Sequence, residues 1–210
     1  SVALYTECSF VEHFEMAQRE QSQLLLPMIN KIFEEANISL TNLSAIALAI
    51  GPGSFTGIRL GLSVVQGLTI STCIPVIAIS SLQALAQGIF ETAGDRQVLV
   101  CINAYMDEVF FAAYCVDAEG IMQLQGEELL SLPEKLLLPP SLREWVGVGN
   151  GWAVHAERLS AVPKKIYLEY LPRARNLVKL AQALENQAKS IDKISAVYLR
   201  NANAWRTKNV

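Results

Sequence analysis

The sequence predicts an α/β protein, and three observations lead to this prediction. An unbroken apolar run at residues 45–50, bounded by Gly51 and Pro52, is typical of a strand covered on both faces. This run passes through a glycine-rich turn into an almost uncharged helix. A second apolar strand at residues 75–79 is again followed by a helix, which Ser80 or Ser81 can cap.

The N-terminal elements follow from the same kind of pattern. Residues 1–5 and 9–15 are each strand-like, and apolar positions recur at helical spacing between residues 18 and 36. Pro27 lies inside this helical pattern, so the helix is expected to begin near Pro27 or to bend there. Asn37 is the expected end of the helix.

A domain boundary is predicted at the polar break after the second helix. The first subdomain then covers residues 1–95 and the second covers 96–210. The second opens with an antiparallel hairpin and continues less regularly. Its further predicted elements are a strand near 121–126, a short helix near 133–137, a strand at 145–148, a ligand-binding or plain turn at 149–151, and a helix at 173–188.

The glycine-rich turn is a candidate phosphate or nucleotide loop. Its backbone N–H groups would point towards the positive end of the following helix dipole, which is a generic anion site. The spacing matches neither the P-loop nor the dinucleotide fingerprint, so a tight turn with a close backbone contact is the alternative. The residues of this candidate site are Gly51, Gly53, Ser54, Thr56 and Gly57.

The helix after the loop carries two apolar stripes, and a single sheet can cover only one of them. Ile58, Leu62, Val65, Thr69 and Thr72 form one stripe. The other contains three glycines and would allow a second backbone to come close, either from a helix of the same chain or from another subunit. Its members are Gly57, Leu60, Gly61, Val64, Gly67, Leu68 and Ser71.

Composition and charge narrow the class of protein. The chain of 210 residues is 51% hydrophobic and 18% charged, which is typical of a well-buried globular protein. A net charge of −3 provides no general attraction for RNA. The four cysteines lack metal-site spacing and are expected to be reduced and buried, and no membrane span or signal peptide is visible. We therefore expect a cytoplasmic protein without a membrane contact.

Two segments carry a family resemblance. Residues 51–68, GPGSFTGIRLGLSVVQGL, and residues 198–205, YLRNANAW, resemble the bacterial TsaB (YeaZ) family. The resemblance implies the actin, Hsp70 and sugar-kinase (ASKHA) fold and a non-catalytic paralogue of TsaD, which makes the threonylcarbamoyl-adenosine modification of tRNA. In that family an earlier inner strand ends in a turn facing the nucleotide cleft, so such a strand is expected before Ser1.

The same resemblance implies that the chain is not itself the enzyme. The catalytic relative carries an H-x-x-x-H metal pair at the start of the helix after the second strand. Here the sequence reads Ser81-Leu82-Gln83-Ala84-Leu85, which offers no metal ligand of that kind. We therefore expect no catalytic residues, no metal and no cofactor of its own, although ATP or ADP could bind at the joint between subunits.

The implied role is that of an accessory subunit that binds TsaD through residues 27–36 and 56–72. The predicted contacts are Met28, Ile32 and the glycine-bearing stripe. Because that stripe can contact a copy of itself, a homodimer is expected when the partner is absent. A TsaE-like ATPase would act through the complex, and tRNA would be bound only indirectly.

An alternative is a small-molecule kinase, or another phosphate-binding enzyme, of the same superfamily. Such a kinase would use the glycine loop for phosphate and would also need an acidic residue near it, as a base or a magnesium ligand. Asp107 and Asp117 lie in predicted turns rather than at strand ends. The alternative therefore predicts ATP turnover by the purified chain, and the accessory role does not.

Overall fold

The computed structural model describes residues 1–16 and 20–200. These residues form nine strands and five α-helices, joined by loops and short 3-10 turns. The strands are β1 (Val2–Tyr5), β2 (Phe10–His13), β3 (Ile46–Ala49), β4 (Val76–Ile79), β5 (Gln97–Tyr105), β6 (Glu108–Val116), β7 (Met122–Ser131), β8 (Val146–Val148) and β9 (Ile166–Tyr167). The helices are α1 (Gln21–Ala36), α2 (Phe55–Thr69), α3 (Ser81–Ala93), α4 (Gly151–Val154) and α5 (Arg175–Ala183).

The strands form three sheets. β1 pairs with β2 in antiparallel fashion, and β3 pairs with β4 in parallel. The third sheet has the order β7-β6-β5-β8-β9, with antiparallel pairing among β5, β6 and β7 and parallel pairing of β5 with β8 and of β8 with β9. The predicted alternation of strands and helices is confirmed, and so is the α/β class.

Two helices pack across the boundary predicted after residue 95. α3 lies before that boundary, but Leu85 and Ile89 pack in the core of the five-stranded sheet with Val100. α5 lies after it, but Leu180 packs with Ile77 of β4. Each half of the chain thus covers a sheet of the other half, while the boundary itself stays a prediction.

Helix ends coincide with the residues that the sequence indicates. Ser80 caps α3, because its Oγ accepts hydrogen bonds from the N–H groups of Leu82 and Gln83 at 3.1 and 3.3 Å. Gly94 ends α3 in the left-handed region at φ 74°, and Asn37 ends α1 at φ 52°. The predictions for Ser80 and Asn37 are confirmed.

The start of the first helix was predicted less well. α1 begins at Gln21 and continues through Pro27, so of the two alternatives it does not begin near the proline, and a bend at Pro27 stays a prediction. Pro27 has no N–H to donate to the carbonyl of Gln23, but both residues are exposed and water can reach that carbonyl. The proline therefore fits inside the helix at the cost of one hydrogen bond.

The structure corrects several predictions of burial and length. β3 is half-buried along its length rather than covered on both faces, because in the described residues it pairs with β4 alone. An inner strand before Ser1 stays a prediction. β7 extends to Ser131, α5 ends at Ala183, and β9 was not predicted because two residues carry no periodic signal.

The cysteines are free but differ in exposure. Cys101 is buried, as expected, whereas Cys115 is half-buried and Cys8 and Cys73 are exposed. Burial raises the pKa of the Cys101 thiol to about 12, which keeps it protonated and unreactive near neutral pH. Within residues 1–16 and 20–200, none of the helices combines the length and the apolar character needed to cross a membrane.

Alanine substitutions at two helical glycines test the packing, because they are expected to change the free energy of unfolding in opposite directions. A Cβ at Gly88 of α3 would lie 2.7 Å from Nδ2 of Asn176 and would overlap the Tyr170 hydroxyl. A Cβ at Gly67 of α2 would meet no heavy atom of the described residues within 4 Å. We expect G88A to lower the free energy of unfolding by about 1–3 kcal/mol, because the neighbours must move.

The matched variant G67A should raise the free energy of unfolding by up to about 1 kcal/mol, because alanine has the higher helix propensity. Urea unfolding at a protein concentration that keeps the chain monomeric measures both values. A G88A variant as stable as G67A would contradict the described packing of α3 against Asn176.

Candidate functional site

The candidate loop lies where β3 and β4 end side by side. The Ile50 N–H donates to the Ile79 carbonyl at 3.0 Å, and the Ser81 N–H donates to the Gly51 carbonyl at 2.9 Å. α2 and α3 therefore start from the same edge of a parallel strand pair. Ligands of open α/β sheets commonly bind at this carboxyl edge.

Ser54 fixes the start of α2. Its Oγ accepts a hydrogen bond from the Gly57 N–H at 3.3 Å, and its carbonyl accepts one from the Ile58 N–H at 2.9 Å. Ser54 is therefore the N-cap of α2, and Thr56 lies within the first turn of the helix. The backbone at Gly57 does not require a glycine, because its φ is not in the left-handed region. A Cβ at Gly57 would make only ordinary contacts with Ser54.

Gly51 is the position that requires glycine. Its φ is +106°, in the region that side chains disfavour, and a Cβ there would lie 2.9 Å from both Ile58 Cδ1 and the Val197 carbonyl oxygen. The predicted close backbone contact is thus confirmed, and its partner is the chain's own C-terminal segment. Gly51 is buried, whereas Gly53 and Thr56 are exposed. Phosphate binding by the exposed part of the loop stays a prediction.

The two stripes of α2 have different environments. Ile58, Val65 and Thr69 are buried, so the stripe that contains them packs against the chain itself. In the second stripe, Leu60 and Val64 are half-buried and Ser71 is exposed. The remaining members of this stripe are half-buried (Gly61, Leu68) or exposed (Gly57, Gly67). We call these seven residues the outer face of α2.

The glycines of the outer face are not equivalent. A Cβ at Gly61 would lie 3.3 Å from Leu48 Cδ1, so Gly61 approaches β3 of the same chain. A Cβ at Gly67, by contrast, would have no heavy atom of the described residues within 4 Å. The expectation of a uniform glycine stripe bared to a partner is therefore corrected at Gly61, where the close neighbour belongs to the chain itself.

α1 lies beside α2 and adds to the same region. Met28 is half-buried and Leu26 is 49% exposed, so apolar side chains of α1 remain accessible. Ile32 is only 2% exposed, and its side chain lies in the interior of the chain. The prediction of a partner contact at Ile32 is corrected accordingly.

An aromatic and arginine cluster at the start of α2 was not predicted. The Arg59 guanidinium lies 3.9 Å from the centre of the Phe55 ring, and its Nε donates to the Tyr198 hydroxyl at 3.0 Å. The Phe55 and Tyr198 ring centres are 5.5 Å apart. The i, i+4 spacing of Phe55 and Arg59 could have indicated their contact, but no local signal connects either residue to Tyr198.

The start of α3 is occupied by a carboxylate of the second half. Ser80 Oγ donates to the Glu128 carboxylate, and the Tyr114 hydroxyl donates to the same oxygen at 2.6 Å. Burial is the main cause that raises the pKa of Tyr114, so the phenol remains a donor. Leu82 and Leu85, in the first turns of α3, are buried in the core.

A buried histidine lies at the end of α4. The His155 ring is buried, and its Nε2 lies 3.1 Å from Asn103 Oδ1, which gives the side chain a structural partner. Within the described ranges, no group of three or more His, Cys, Asp or Glu residues is arranged to hold a metal ion. Trp205, the last residue of the family motif at residues 198–205, lies outside the described residues.

Comparison with known proteins gives consistent relatives. Residues 13–204 match the family model described as TsaD, tRNA N6-adenosine threonylcarbamoyltransferase. The chain is 35% identical over 212 aligned residues to the tRNA threonylcarbamoyladenosine biosynthesis protein TsaB of Escherichia coli, covering 98% of this chain and 92% of that protein. The chain is 33% identical to TsaB of Haemophilus influenzae, and the alignment covers 98% of this chain and 91% of that protein.

A solved structure agrees with these relatives. YeaZ from Pseudomonas aeruginosa superposes with a TM-score of 0.89 at 36% identity, covering 94% of this chain and 92% of that one. A second crystal structure from the same organism, described as an uncharacterized protein with similarity to peptidase YeaZ, has the same TM-score and identity. The predicted fold and the family resemblance are confirmed.

Substitution of the loop glycines tests the described turn. G51A should lower the free energy of unfolding by about 2–4 kcal/mol, because it combines a strained φ with overlap at Ile58 and Val197. G53A is the matched control, since a Cβ there would lie 3.9 Å from Ile58 Cδ1 in ordinary contact. Thermal and urea unfolding measure both variants, and equal stabilities for the two would contradict the described loop.

Proposed function

Because the chain belongs to the TsaB (YeaZ) family of tRNA threonylcarbamoyladenosine biosynthesis proteins, we propose that it is the accessory subunit that binds the catalytic TsaD-like protein. In this role it supports transfer of the threonylcarbamoyl group to the adenosine beside the tRNA anticodon. It takes no catalytic part, and it meets tRNA and a TsaE-like ATPase through the complex.

The single observation that supports this proposal is the outer face of α2. Helices of a globular protein bury one apolar stripe and expose a polar one. α2 buries Ile58 and Val65 in its own chain, yet Leu60, Val64 and Leu68 on its outer face are apolar and only half-buried. A second apolar face of this kind is the usual property of a helix that contacts another protein.

α1 extends this surface beyond a single helix. Leu26 and Met28 are accessible and apolar, and α1 contacts α2 directly. Two neighbouring helices offer a broader surface than one, which suits the roughly 800 Å² per partner that stable interfaces bury. The TsaD-like partner is proposed to cover both helices.

The same surface supports a homodimer in the absence of the partner. A twofold axis next to α2 would place the outer face against its own copy, which is the common geometry of homodimers. Because one surface would serve both assemblies, the homodimer and the complex with the TsaD-like protein exclude each other. ATP or ADP at the resulting joint remains part of the proposal, through the exposed residues Gly53, Ser54 and Thr56.

A single arginine tests this surface. G67R places a long charged side chain on the outer face at a position that is open in the chain itself, so the monomer should remain folded. An arginine at Gly61 would be less informative, since it would press on Leu48. Sedimentation should show that G67R weakens both assemblies by at least about tenfold, because a buried unpaired charge is costly.

The matched control is Q66R, which adds the same side chain at an exposed position about 100° around α2 from Gly67, on the side opposite the outer face. It should leave both assemblies intact. Loss of assembly in Q66R but not in G67R, or in neither variant, would contradict the assignment of the outer face.

The accessory role is tested separately with purified components. A tRNA modification assay should show product with the TsaD-like protein, its other partners and this chain together, and a drop of at least about tenfold when this chain is omitted. The chain alone should neither modify tRNA nor turn over ATP. Robust ATP turnover by the chain alone would contradict the proposal and favour the kinase alternative.

A further inference from the structure

The extended segment at residues 197–200, which we call the strap, connects the two halves of the molecule. It follows the last 3-10 turn and runs beside the end of β3. The Val197 N–H donates to the Ile50 carbonyl at 2.9 Å, and the Val197 carbonyl oxygen fills the space where a Gly51 side chain would stand. The strap thus begins by pairing with the glycine loop.

The first anchor of the strap is Tyr198. Its hydroxyl accepts a hydrogen bond from Arg59 Nε, and its ring packs against the Phe55 ring. Arg59 and Phe55 belong to the first turns of α2, directly after the glycine loop. Tyr198 is 47% exposed and Phe55 is 53% exposed, so this anchor is accessible from outside.

The second anchor is Arg200, which reaches the hairpin tip between β5 and β6. Arg200 Nη2 lies 2.8 Å from the Glu108 carboxylate and donates to the carbonyls of Ala104 and Tyr105 at 3.0 and 3.3 Å. The Arg200 side chain is 17% exposed, so these charge-assisted hydrogen bonds are partly shielded from water. Tyr198 therefore holds the strap to the start of α2 in the first half, and Arg200 holds it to the hairpin tip in the second half.

The hairpin tip depends on such outside support. Tyr105, Met106 and Asp107 have φ values of 61°, 52° and 61°, in the left-handed region that is unfavourable for residues other than glycine. Three successive residues in this region persist when surrounding contacts hold them. The Arg200 hydrogen bonds to the Ala104 and Tyr105 carbonyls supply part of that support.

Arg158 supports the hairpin tip from within the second half of the chain. Its Nη1 donates to the Asp107 carbonyl at 3.4 Å, and the same side chain binds the Glu134 carboxylate at 2.9 Å. Glu134, Arg158 and the hairpin tip all belong to the second half of the chain. Arg158 therefore stabilises the tip without contacting the glycine loop, which distinguishes it from Arg200.

We propose that the strap is a latch that couples the glycine loop to the hairpin tip. Displacement of Tyr198 from Phe55 and Arg59 loosens the hold of Arg200 on the tip, and loss of the Arg200 contacts loosens the pairing of Val197 with Ile50. Thermodynamic coupling of this kind is reciprocal, so loss of the strap's own contacts at either anchor is felt at the other anchor. The more exposed Tyr198 end is where a bound molecule would open the latch.

The latch goes beyond the proposed accessory role and does not require it. A partner or ligand that covers the start of α2 would be sensed at the hairpin tip, which belongs to the other half of the chain. The tip exposes Tyr105 and Met106, at 79% and 52%, so a loosened tip presents apolar groups in a new arrangement.

Hydrogen exchange of the full chain, followed by mass spectrometry of peptides, tests the latch. The two reporter segments are residues 50–58 at the glycine loop and residues 103–109 at the hairpin tip. R200M should raise the exchange rate of both segments by roughly three- to tenfold. Y198A should do the same, including at the tip, although the recorded hydrogen bond and ring contacts of Tyr198 in the described residues are with Arg59 and Phe55.

R158M is the matched control, because it removes the contacts of an arginine with the same hairpin tip and leaves the recorded contacts of the strap in place. It should raise exchange at residues 103–109 and leave residues 50–58 unchanged. The latch is contradicted when R200M affects the tip alone, when Y198A affects the glycine loop alone, or when R158M affects both segments as strongly as R200M does.

A milder variant keeps the test decisive when a larger change lowers global stability. Y198F removes only the hydroxyl that accepts from Arg59 and preserves the ring contact with Phe55. It should keep the melting temperature close to that of the unmodified chain and raise exchange in both segments by about two- to threefold. A rise confined to residues 50–58 in Y198F would overturn the proposal.

Discussion

The fold depends on the hydrogen bonds at the edge where β3 and β4 end. Ile50 and Gly51 are bonded to Ile79 and Ser81, and the Ile50 carbonyl also accepts from Val197. These bonds hold the end of one strand, the start of another helix and the C-terminal segment in one place. Because α2 and α3 both leave from this edge, its geometry fixes which face of α2 turns inward.

One stripe of α2 packs against the chain itself, and the outer face of α2 remains partly accessible although it carries apolar side chains. Val65 and Thr69 are buried against the chain, while the apolar residues Val64 and Leu68, one position earlier in each case, are only half-buried. Within one helix the environment thus changes over adjacent positions. This contrast is what favours a second protein as the partner of α2, and the strap anchors beside the same helix at Phe55 and Arg59.

Local patterns predicted every described strand except β9, the Ser80 and Asn37 helix ends and the two stripes of α2, because each depends on residues close in sequence. The family motif of residues 51–68 indicated the fold. Contacts set by tertiary packing were not predictable: Ile32 turns inward, and Gly61 meets Leu48. The bond between Arg59 and Tyr198 joins residues 139 positions apart, and no periodicity connects them.

The most direct test of the central claim is an oxidative footprint of the outer face of α2 in the free chain and in a mixture with the TsaD-like protein. Leu60, Val64 and Leu68 should be labelled at least about fivefold more slowly in the mixture, because a stable interface excludes water from its core. Unchanged labelling of these three residues in a mixture that actively modifies tRNA would contradict the account.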